Sequence, residues 1–369
     1  MLHWTIRAMF ARPLYLLASA SGVAFALMLV IFIEAVFAGE SGRIVNYLQQ
    51  TKGDVWVMQR GVSNMHMATS FISDWKVAKI AKVKGVRKAT PILYMNASIE
   101  IGGRQWFSFV VGVGNDGSRA GPWRVVKGKG RPGKGEVIIP ATLARITDLD
   151  LGATITLNTK KLKIVGLSAG TFSMANSVTF ANADDLSDVM SAFGMVSYVL
   201  VDAERGVDPR TLATRIREQI DKVNAVPLRD FIASDHAMAM QMGVEIIDIM
   251  SVIGMGLAIV ITGFTVYSQT NRRRRELAVA KALGVRNRAV YGSVLLQAIC
   301  IALLGLAIAT ALAYIGAPLI EALVPLVALT IQPEVPLKLG VLALVIAAIA
   351  SLIPARQVLR LDPAMAFHS

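Results

Sequence analysis

Long, nearly uncharged apolar stretches constrain this chain more than any other feature of its sequence. A helix that crosses the hydrocarbon core of a bilayer needs about 20 predominantly apolar residues. Four stretches reach or approach that length: residues 14–38, 243–269, 289–317 and 337–354. Only 17% of the 369 residues are charged, too few to cover an ordinary water-soluble protein of this size. The sequence therefore predicts four transmembrane helices.

The first stretch, residues 14–38, has two interpretations. Arg7 and Arg12 precede it, and small residues near its end suit signal peptidase, so a cleaved secretory signal is one interpretation. However, the apolar region of a signal is about 7 to 15 residues long, and this stretch is far longer. Its only ionisable residue is Glu34, near the far end. We therefore expect an uncleaved anchor.

Basic residues cluster in the short flanks of the predicted crossings and predict the orientation. The segment 318–336, by contrast, contains Glu321 and Glu334 and no Lys or Arg. Because Lys and Arg in short loops stay on the cytoplasmic side, both termini and the arginine-rich loop are expected to face the cytoplasm. The basic residues are Arg7, Arg12, Arg272, Arg273, Arg274, Arg275, Lys281, Arg286, Arg288, Arg356 and Arg360.

Residues 39–242 contain no spanning stretch and read as a folded domain outside the cytoplasm. Short β-type runs, for example residues 54–58, 107–113 and 136–140, are interleaved with amphipathic helical stretches at 72–85 and 208–223. This mixture is typical of an α+β domain. The predicted fold class is a membrane α-helical protein with a large α+β extracytoplasmic domain between its first and second crossings.

Positive charge is concentrated in this outer domain. The chain carries a formal charge of +13, and residues 40–240 hold 26 Lys and Arg against 18 Asp and Glu, which leaves +8. Residues 119–135 contain six basic residues and no acidic one. This segment is either a solvated glycine-rich hairpin or a contact for lipid headgroups or an acidic partner domain.

Two glycine motifs resemble nucleotide-binding signatures but lack what such sites need. Residues 112–117 spell G-x-G-x-x-G, yet the residues that follow cannot start the helix that would receive a pyrophosphate. Residues 128–134 spell G-x-x-x-x-G-K, but Gly135 stands where a P-loop has the Ser or Thr that binds Mg²⁺. We therefore expect no ATP site and no cofactor in this chain.

Metal and catalytic centres are not predicted either. Cys300 is the only cysteine and the four histidines are scattered, so zinc-type spacing is absent. Met65 and Met67 suit Cu(I), but methionines also fill apolar cores. Glu245 and Asp248 share a helix face at the start of the second crossing. They are either part of a proton relay or charged residues of a helix end that faces water.

Small residues recur every four positions in the third and fourth crossings. Such stripes let membrane helices approach closely, so they predict helix packing within or between subunits. The residues are Gly305, Ala309, Ala313 and Ala317 in the third crossing, and Ala343, Ala347 and Ser351 in the fourth.

The loop between the second and third crossings reads as a cytoplasmic helix over residues 271–288. Arg272 and Glu276 form an i, i+4 pair, and Gly284 is a predicted C-terminal cap. Val279 and Leu283 place apolar surface on a helix that stands outside the bilayer. The helix is either an anchor that holds the topology and grips anionic lipid, or a docking element buried in a groove of a cytoplasmic protein.

Residues 275–284, RELAVAKALG, resemble the R-E-[IL]-x-[VL]-x-[KR]-A-[LI]-G signature of FtsX-like, or type VII, ABC transporter permeases. PAR at 354–356 and RLDPA at 360–364 resemble the C-terminal ending of the same family. Residues 136–166 are similar to the periplasmic core of macrolide-exporter-type permeases. Within the family, residues 54–65 look closest to DevC-like permeases.

This resemblance implies a non-catalytic membrane subunit in the bacterial inner membrane. Residues 1–38 would hold the cytoplasmic N-terminus and first crossing, residues 39–242 the outer domain, and residues 243–369 the FtsX-like domain with its coupling helix at 271–288. Implied partners are a cytoplasmic ABC ATPase that binds ATP and Mg²⁺, a second permease copy, membrane lipids, and an adaptor or lipoprotein; nucleic acid is not one. The implied ATPase contacts are Arg275, Glu276, Leu277, Val279, Lys281, Ala282, Leu283 and Gly284.

The implied function is ATP-driven export or extraction of an amphiphile: a lipid, lipoprotein, peptide or drug. Hydrolysis in the partner would move the outer domain, which is called mechanotransmission. The alternative is a permease that transports nothing and regulates a cell-wall hydrolase or a signalling partner through the same motion. A third reading is a receptor or anchor that has no ATPase.

Overall fold

The computed structural model describes most of the chain. Residues outside the description are 1–4, 8, 10, 12, 52, 67, 115–119, 174–176, 274, 275, 278, 281, 282, 325 and 360–369. Within helices, the side chains of residues 239, 242–248, 251, 255, 350, 353–355 and 357–359 are likewise not described. The predictions for Met67, Arg275, Lys281, Ala282 and the tail motif 360–364 therefore lie outside the described residues, as do those for the side chains of Glu245 and Asp248.

The elements follow one another in chain order. The helices are α1 Pro13–Ile44, α2 Asn46–Gln50, α3 Trp75–Ala81, α4 Ala141–Ile146, α5 Ala183–Met190, α6 Pro209–Gln219, α7 Leu228–Arg272, α8 Asn287–Leu323 and α9 Glu334–Leu359. The strands are β1 Val55–Gln59, β2 Ile72–Ser73, β3 Val86–Ile101, β4 Arg104–Val113, β5 Val125–Gly128, β6 Glu136–Pro140, β7 Thr154–Leu157, β8 Lys160–Ser168, β9 Val178–Asn182, β10 Met195–Val196, β11 Tyr198–Ala203 and β12 Val223–Pro227.

The chain divides into two compact units. The helical unit comprises residues 1–39, 243–324 and 328–369, and the outer domain comprises residues 40–242 with 325–327. Among the described residues, three helices are long and apolar enough to cross a membrane: Pro13–Ile44, Val252–Arg272 and Asn287–Leu323. The predicted fourth crossing corresponds to α9, which is not one of these three.

An apolar core joins α1, α7, α8 and α9 in the helical unit. Leu27 and Ile31 of α1, Ala258 of α7, Ile301 of α8 and Ile346 of α9 are all at most 2% exposed and belong to one cluster. Because α1 contributes some of the most buried side chains, it is an integral part of this unit.

The outer domain is built on a mixed sheet, and its α+β character is confirmed for the described residues. The strand order is β12-β1-β11-β3-β4-β9-β6-β8-β5, and β7 pairs with β3 and β8. The first half of β3 pairs with β11 and its second half with β4, so this one strand runs through the middle of the sheet. The pairs β4–β9 and β6–β8 are parallel, and the remaining pairs of this sheet are antiparallel.

Strand β1 is buried on both faces because helices or aromatic rings cover each side. Val55 and Val57 point to the layer formed with Ile80 of α3 and Leu212 of α6. The alternate residue, Trp56, points to the opposite layer, as the two-residue period of a strand requires. A strand covered in this way reads as a continuous apolar run, VWVM, without polar alternation.

The first turns of α7 belong to the core of the outer domain. Phe231 is fully buried, and its ring stacks on Trp56 with centroids 5.2 Å apart. Tyr198 of β11 meets the same Trp56 ring edge-on at 5.4 Å. The sequence predicted the second crossing to start at residue 243, whereas the helix begins at Leu228. Hydropathy detects only the apolar part of a helix, and this amphipathic entry segment escapes it.

Lys127 and Lys129, two of the six basic residues in the segment 119–135, form ion pairs. Here β5 pairs with β8, Lys127 binds Asp150 at 2.5 Å, and Lys129 binds Glu136 at 2.7 Å. The hydrogen bond from Lys129 is the main cause that lowers the pKa of Glu136. The segment is not the predicted glycine-rich hairpin, because its strand, β5, pairs with the distant strand β8 at the edge of the sheet. The side chains of Lys127 and Lys129 are nevertheless solvated, 54% and 63% exposed.

Candidate functional site

The short helix that carries the RELAVAKALG signature, called the signature helix below, ends in a defined cap. Glu276, Leu277, Val279 and Ala280 are helical, and Gly284 has a φ of +86°. The N–H of Val285 donates to the carbonyl of Ala280 at 3.1 Å. This bond, with glycine in the left-handed conformation, is the Schellman arrangement that closes a helix. The predicted C-terminal cap at Gly284 is confirmed.

Leu277 anchors this helix within the chain. Its side chain is 4% exposed and packs with Val290, at the start of α8, and with Val285. Leu277 is therefore already covered by its own chain, although it was predicted to contact the ATPase. Its location indicates that it holds the short helix against α8.

The predicted Arg272–Glu276 pair is wrong. Glu276 instead binds the guanidinium of Arg273 at 3.0 Å, and Arg272 lies over the ring of Tyr15 in α1, 5.2 Å from its centroid. Helix α7 ends at Arg272, and the N–H of Arg273 bonds three residues back, to Thr270. This tighter turn changes the register and brings Arg273 toward Glu276.

Apolar side chains remain exposed on the signature helix. Leu283 is 81% exposed and Val279 is 41% exposed, while the Glu276 side chain is 48% exposed. The other predicted contacts, Arg275, Lys281 and Ala282, lie outside the described residues. The described part of the helix thus separates into one buried anchor, Leu277, and an accessible face.

Three polar side chains connect α1, α7 and α8 near the start of this helix. The side-chain amide Nε2 of Gln269 donates to the hydroxyl of Ser19 at 2.6 Å. Gln297, which is 3% exposed, donates from its own Nε2 to the side-chain oxygen Oε1 of Gln269. Hydrogen bonds between membrane helices hold them in register. Sequence patterns did not predict this cluster, although polar residues inside apolar stretches are a signal for such contacts.

The predicted small-residue stripes lie inside the helical unit. Ala309, Ala313, Ala343 and Ala347 are each at most 1% exposed and belong to its core. Gly305 contacts α1 so closely that an added Cβ would lie 2.9 Å from Val23. These residues therefore occupy places where the helices of one chain approach each other.

These features define a class of membrane protein: a helical unit, an α+β domain inserted between its first and second long helices, and a short capped helix before α8. Residues 16–219 match the family model of the MacB-like periplasmic core domain, and residues 249–363 match that of the FtsX-like permease C-terminal region. The first match alone covers more than half of the chain. The chain belongs to the ABC transporter permeases of this MacB/FtsX type, which confirms the predicted family.

Curated relatives carry the same designation over nearly their whole length. The chain is 26% identical over 322 residues to the uncharacterized ABC transporter permease Rv0072 of Mycobacterium tuberculosis, covering 85% of this chain and 84% of the relative. It is 26% identical over 361 residues to the permease Rv2563 of the same organism, covering 96% and 95%. Permeases of this class are multi-pass proteins of the inner membrane, generally non-catalytic, and they imply a cytoplasmic ATPase partner.

Two solved structures that are similar to part of the chain are extracytoplasmic domains. The periplasmic region of MacB from Actinobacillus actinomycetemcomitans aligns with 48% of this chain and 90% of its own length, at 10% identity and a TM-score of 0.36. The extracellular domain of the transporter YknZ from Gram-positive bacteria aligns with 47% of this chain and 100% of its own, at 12% identity and a TM-score of 0.35.

Proposed function

We propose that this chain is the permease of an ATP-driven exporter or extractor that handles an amphiphilic substrate at the outer face of the inner membrane. A separate cytoplasmic ABC ATPase, which binds ATP and Mg²⁺, docks on the signature helix and moves the outer domain. The exposed apolar face of that helix, Val279 and Leu283, carries the proposal. Apolar helix faces outside a bilayer are commonly covered by a groove in a partner.

Within this proposal, the signature residues divide into two roles. Glu276, Val279 and Leu283 contact the ATPase, together with the predicted contacts Arg275, Lys281 and Ala282. Leu277 and Gly284 instead hold the helix in place, since Leu277 is buried against Val290 and Gly284 provides the cap. Substitutions in the two groups should therefore have different consequences.

The hydrogen bonds among Ser19, Gln269 and Gln297 support a path for the movement. Gln269 lies three residues before the end of α7, close in sequence to the signature helix. A displacement of that helix would thus be transferred to α1, α7 and α8 together. Because α7 also contains Phe231 of the outer domain, the same helix would carry the displacement outward.

The topology proposed for this mechanism has four crossings with α9 as the fourth. The basic flanks listed above then face the cytoplasm, which places both termini inside. A second permease copy completes the transporter, with one ATPase on each half. The outer domain then stands outside, where it can meet an adaptor or a lipoprotein.

The contact with the ATPase is tested by charge substitutions on the exposed face. Leu283→Asp and Val279→Asp in the full chain should abolish co-purification of the ATPase and ATP-dependent transport, because a carboxylate cannot be buried in an apolar groove without a large cost. Val126→Asp is the matched control, since Val126 is an exposed valine of the outer domain. Complex formation that survives both changes on the signature helix would contradict the proposal.

Substrate release and ATP-dependent movement of the outer domain, measured on the same complex, distinguish an exporter from a regulatory permease. Loss of substrate release together with loss of the complex supports the exporter. ATP-dependent movement of the outer domain without release of lipid, lipoprotein, peptide or drug would point to the regulatory permease instead.

A further inference from the structure

A cleft between α1 and α9 in the helical unit combines apolar walls with opposite charges. It encloses about 200 Å³, and its polar lining residues are Glu34 of α1, Gln332 before α9, and Lys338 of α9. Val30, Leu339 and Leu342 form the apolar walls. Pockets for drug-sized ligands are about 300–1,000 Å³, so the smaller cleft has room for a small polar headgroup and not for a complete lipid.

The segment that borders the cleft is held firmly against α1. The N–H of Thr330 donates to the carbonyl of Ala35 at 2.9 Å, and a Cβ added to Gly39 would lie only 2.4 Å from the carbonyl oxygen of Ala328. Near the end of α8, Glu321 accepts a hydrogen bond of 2.7 Å from the N–H of Leu329. Non-helical backbone near a membrane is tolerated where its polar groups are satisfied within the protein, so the cleft is preformed.

The charges of the cleft are those that complement an amine and a phosphate. Glu34 is half-buried near the outer end of α1, and a carboxylate there attracts an ammonium group. Lys338 also lines the cleft, with its side chain 77% exposed. Its Nζ lies 3.9 Å from the carboxylate of Glu334, a surface pair of the kind that contributes little to stability, so its ammonium can exchange that contact for a phosphate. Ionisable residues within membrane helices commonly mark ligand sites.

We propose that this cleft binds the headgroup of an aminophospholipid from the outer leaflet. The ammonium of the lipid faces Glu34, its phosphate faces Lys338, and the first methylenes of its glycerol and acyl region contact Val30 and Leu339. Binding requires neither the ATPase nor ATP. The site therefore goes beyond the proposed function, and each can fail without the other.

Native mass spectrometry of the purified full chain tests the site. The probes are phosphatidylethanolamine and phosphatidylglycerol with the same acyl chains, supplied in equal amounts. The wild type should retain phosphatidylethanolamine about tenfold over phosphatidylglycerol, which corresponds to ~1.4 kcal/mol. Glu34→Gln should reduce this preference to about one, while Lys338→Gln should lower retention of both lipids. Glu100→Gln and Lys161→Gln, in the outer domain, are the matched controls.

A cleft-filling change separates loss of the site from loss of folding. Val335→Phe, at a lining residue, should reduce retention of both lipids without altering charge, whereas Val341→Phe, 64% exposed on the same helix, should not. Equal retention of the two lipids by the wild type, or an unchanged preference in Glu34→Gln, would overturn the proposal. Soluble phosphoethanolamine has the same headgroup without acyl chains and should bind much more weakly than phosphatidylethanolamine at the same concentration; equal binding of the two would overturn the assignment to a lipid.

Discussion

Asp235, near the start of α7, accepts a hydrogen bond of 2.8 Å from the backbone N–H of Met65. The same carboxylate oxygen accepts a second one from the N–H of His66 at 3.3 Å, and the other oxygen contacts Nδ1 of His66. Asp235 is 1% exposed. The loop between β1 and β2 is thereby tied to the helix that leads out of the outer domain.

Asp235 lies near the aromatic side chains of Tyr94 and Tyr198 and is almost inaccessible to solvent. Burial, and after it the negative charge of Asp235, raise the pKa of Tyr198. Burial is likewise the main cause that raises the pKa of Tyr94, followed by the charges of Tyr198 and Asp235. A carboxylate in such a place needs its hydrogen-bond donors, because an unpaired buried charge is costly.

Asp235→Ala should loosen the outer end of α7. The N–H groups of Met65 and His66 would lose their acceptor while remaining largely buried, at a cost of about 1–3 kcal/mol. Thermal unfolding of the full chain and hydrogen exchange of residues 228–238 measure the effect. Asp230→Ala is the matched control. The Asp230 side chain is 49% exposed, and its Oδ1 lies 3.7 Å from Nη2 of Arg210. Surface ion pairs of this kind contribute about 0–1 kcal/mol to the free energy of unfolding. Equal effects of the two changes would refute the anchoring role.

Leu277→Ala and Leu283→Ala make the same chemical change at a buried and at an exposed position of one helix. Leu283→Ala should weaken ATPase binding and leave hydrogen exchange of residues 276–284 unchanged, because its side chain has no cover within the chain. Leu277→Ala should accelerate that exchange, since Val290 would lose its packing partner. The prediction fails if Leu283→Ala alters the exchange and Leu277→Ala does not.

Gly305→Ala should destabilise the helical unit. Its Cβ would lie 2.9 Å from Cβ and Cγ1 of Val23, so α1 and α8 would have to separate, at a cost of about 1–3 kcal/mol. Gly292→Ala is the control on the same helix, because a Cβ there meets nothing within 4 Å. That change should stabilise α8 by up to ~1 kcal/mol through helix propensity. Melting temperatures that move in the same direction for both variants would contradict this packing.

Asp208 should make the stability of α6 depend on pH. Its carboxylate accepts hydrogen bonds from the N–H and the hydroxyl of Thr211, and the backbone bond is the main cause that lowers its pKa. Because the pKa of Asp208 is lower in the folded chain, its carboxylate stabilises the folded state. This stabilisation is complete above the pKa of the unfolded chain, about 3.9, and is lost as the pH falls through the pKa of the folded chain.

Asp208→Asn keeps a capping oxygen but removes the charge. The difference in melting temperature between wild type and Asp208→Asn should therefore be largest near pH 6 and shrink below about pH 4. Asp221→Asn, on the exposed turn after α6, controls for a general loss of negative charge. A difference that stays constant from pH 6 to pH 3 would argue against this role of the cap.

The membrane stretches, most strands of the outer domain and the signature helix could be predicted because each depends on neighbours along the chain. Apolar length predicted the stretches that became α1 and α8, a short continuous apolar run predicted β1, and a glycine after a helical pattern predicted the cap at Gly284. Even here, local patterns missed the entry segment of α7, whose residues are too polar to read as a membrane span.

Contacts between distant parts of the chain were decided only by tertiary structure. Asp235 and Met65 are 170 positions apart, and Gln269 and Ser19 are 250 apart. The residues next to Asp235 in the sequence do not predict that a distant loop will donate two N–H groups to it. The residues next to Glu34 likewise do not predict that a lysine of another helix lines the same cleft. The spacing of apolar residues along the sequence predicts which face of a helix or strand will be buried. Which residues cover that face depends on how the helices and strands pack, and packing is a property of the whole folded chain.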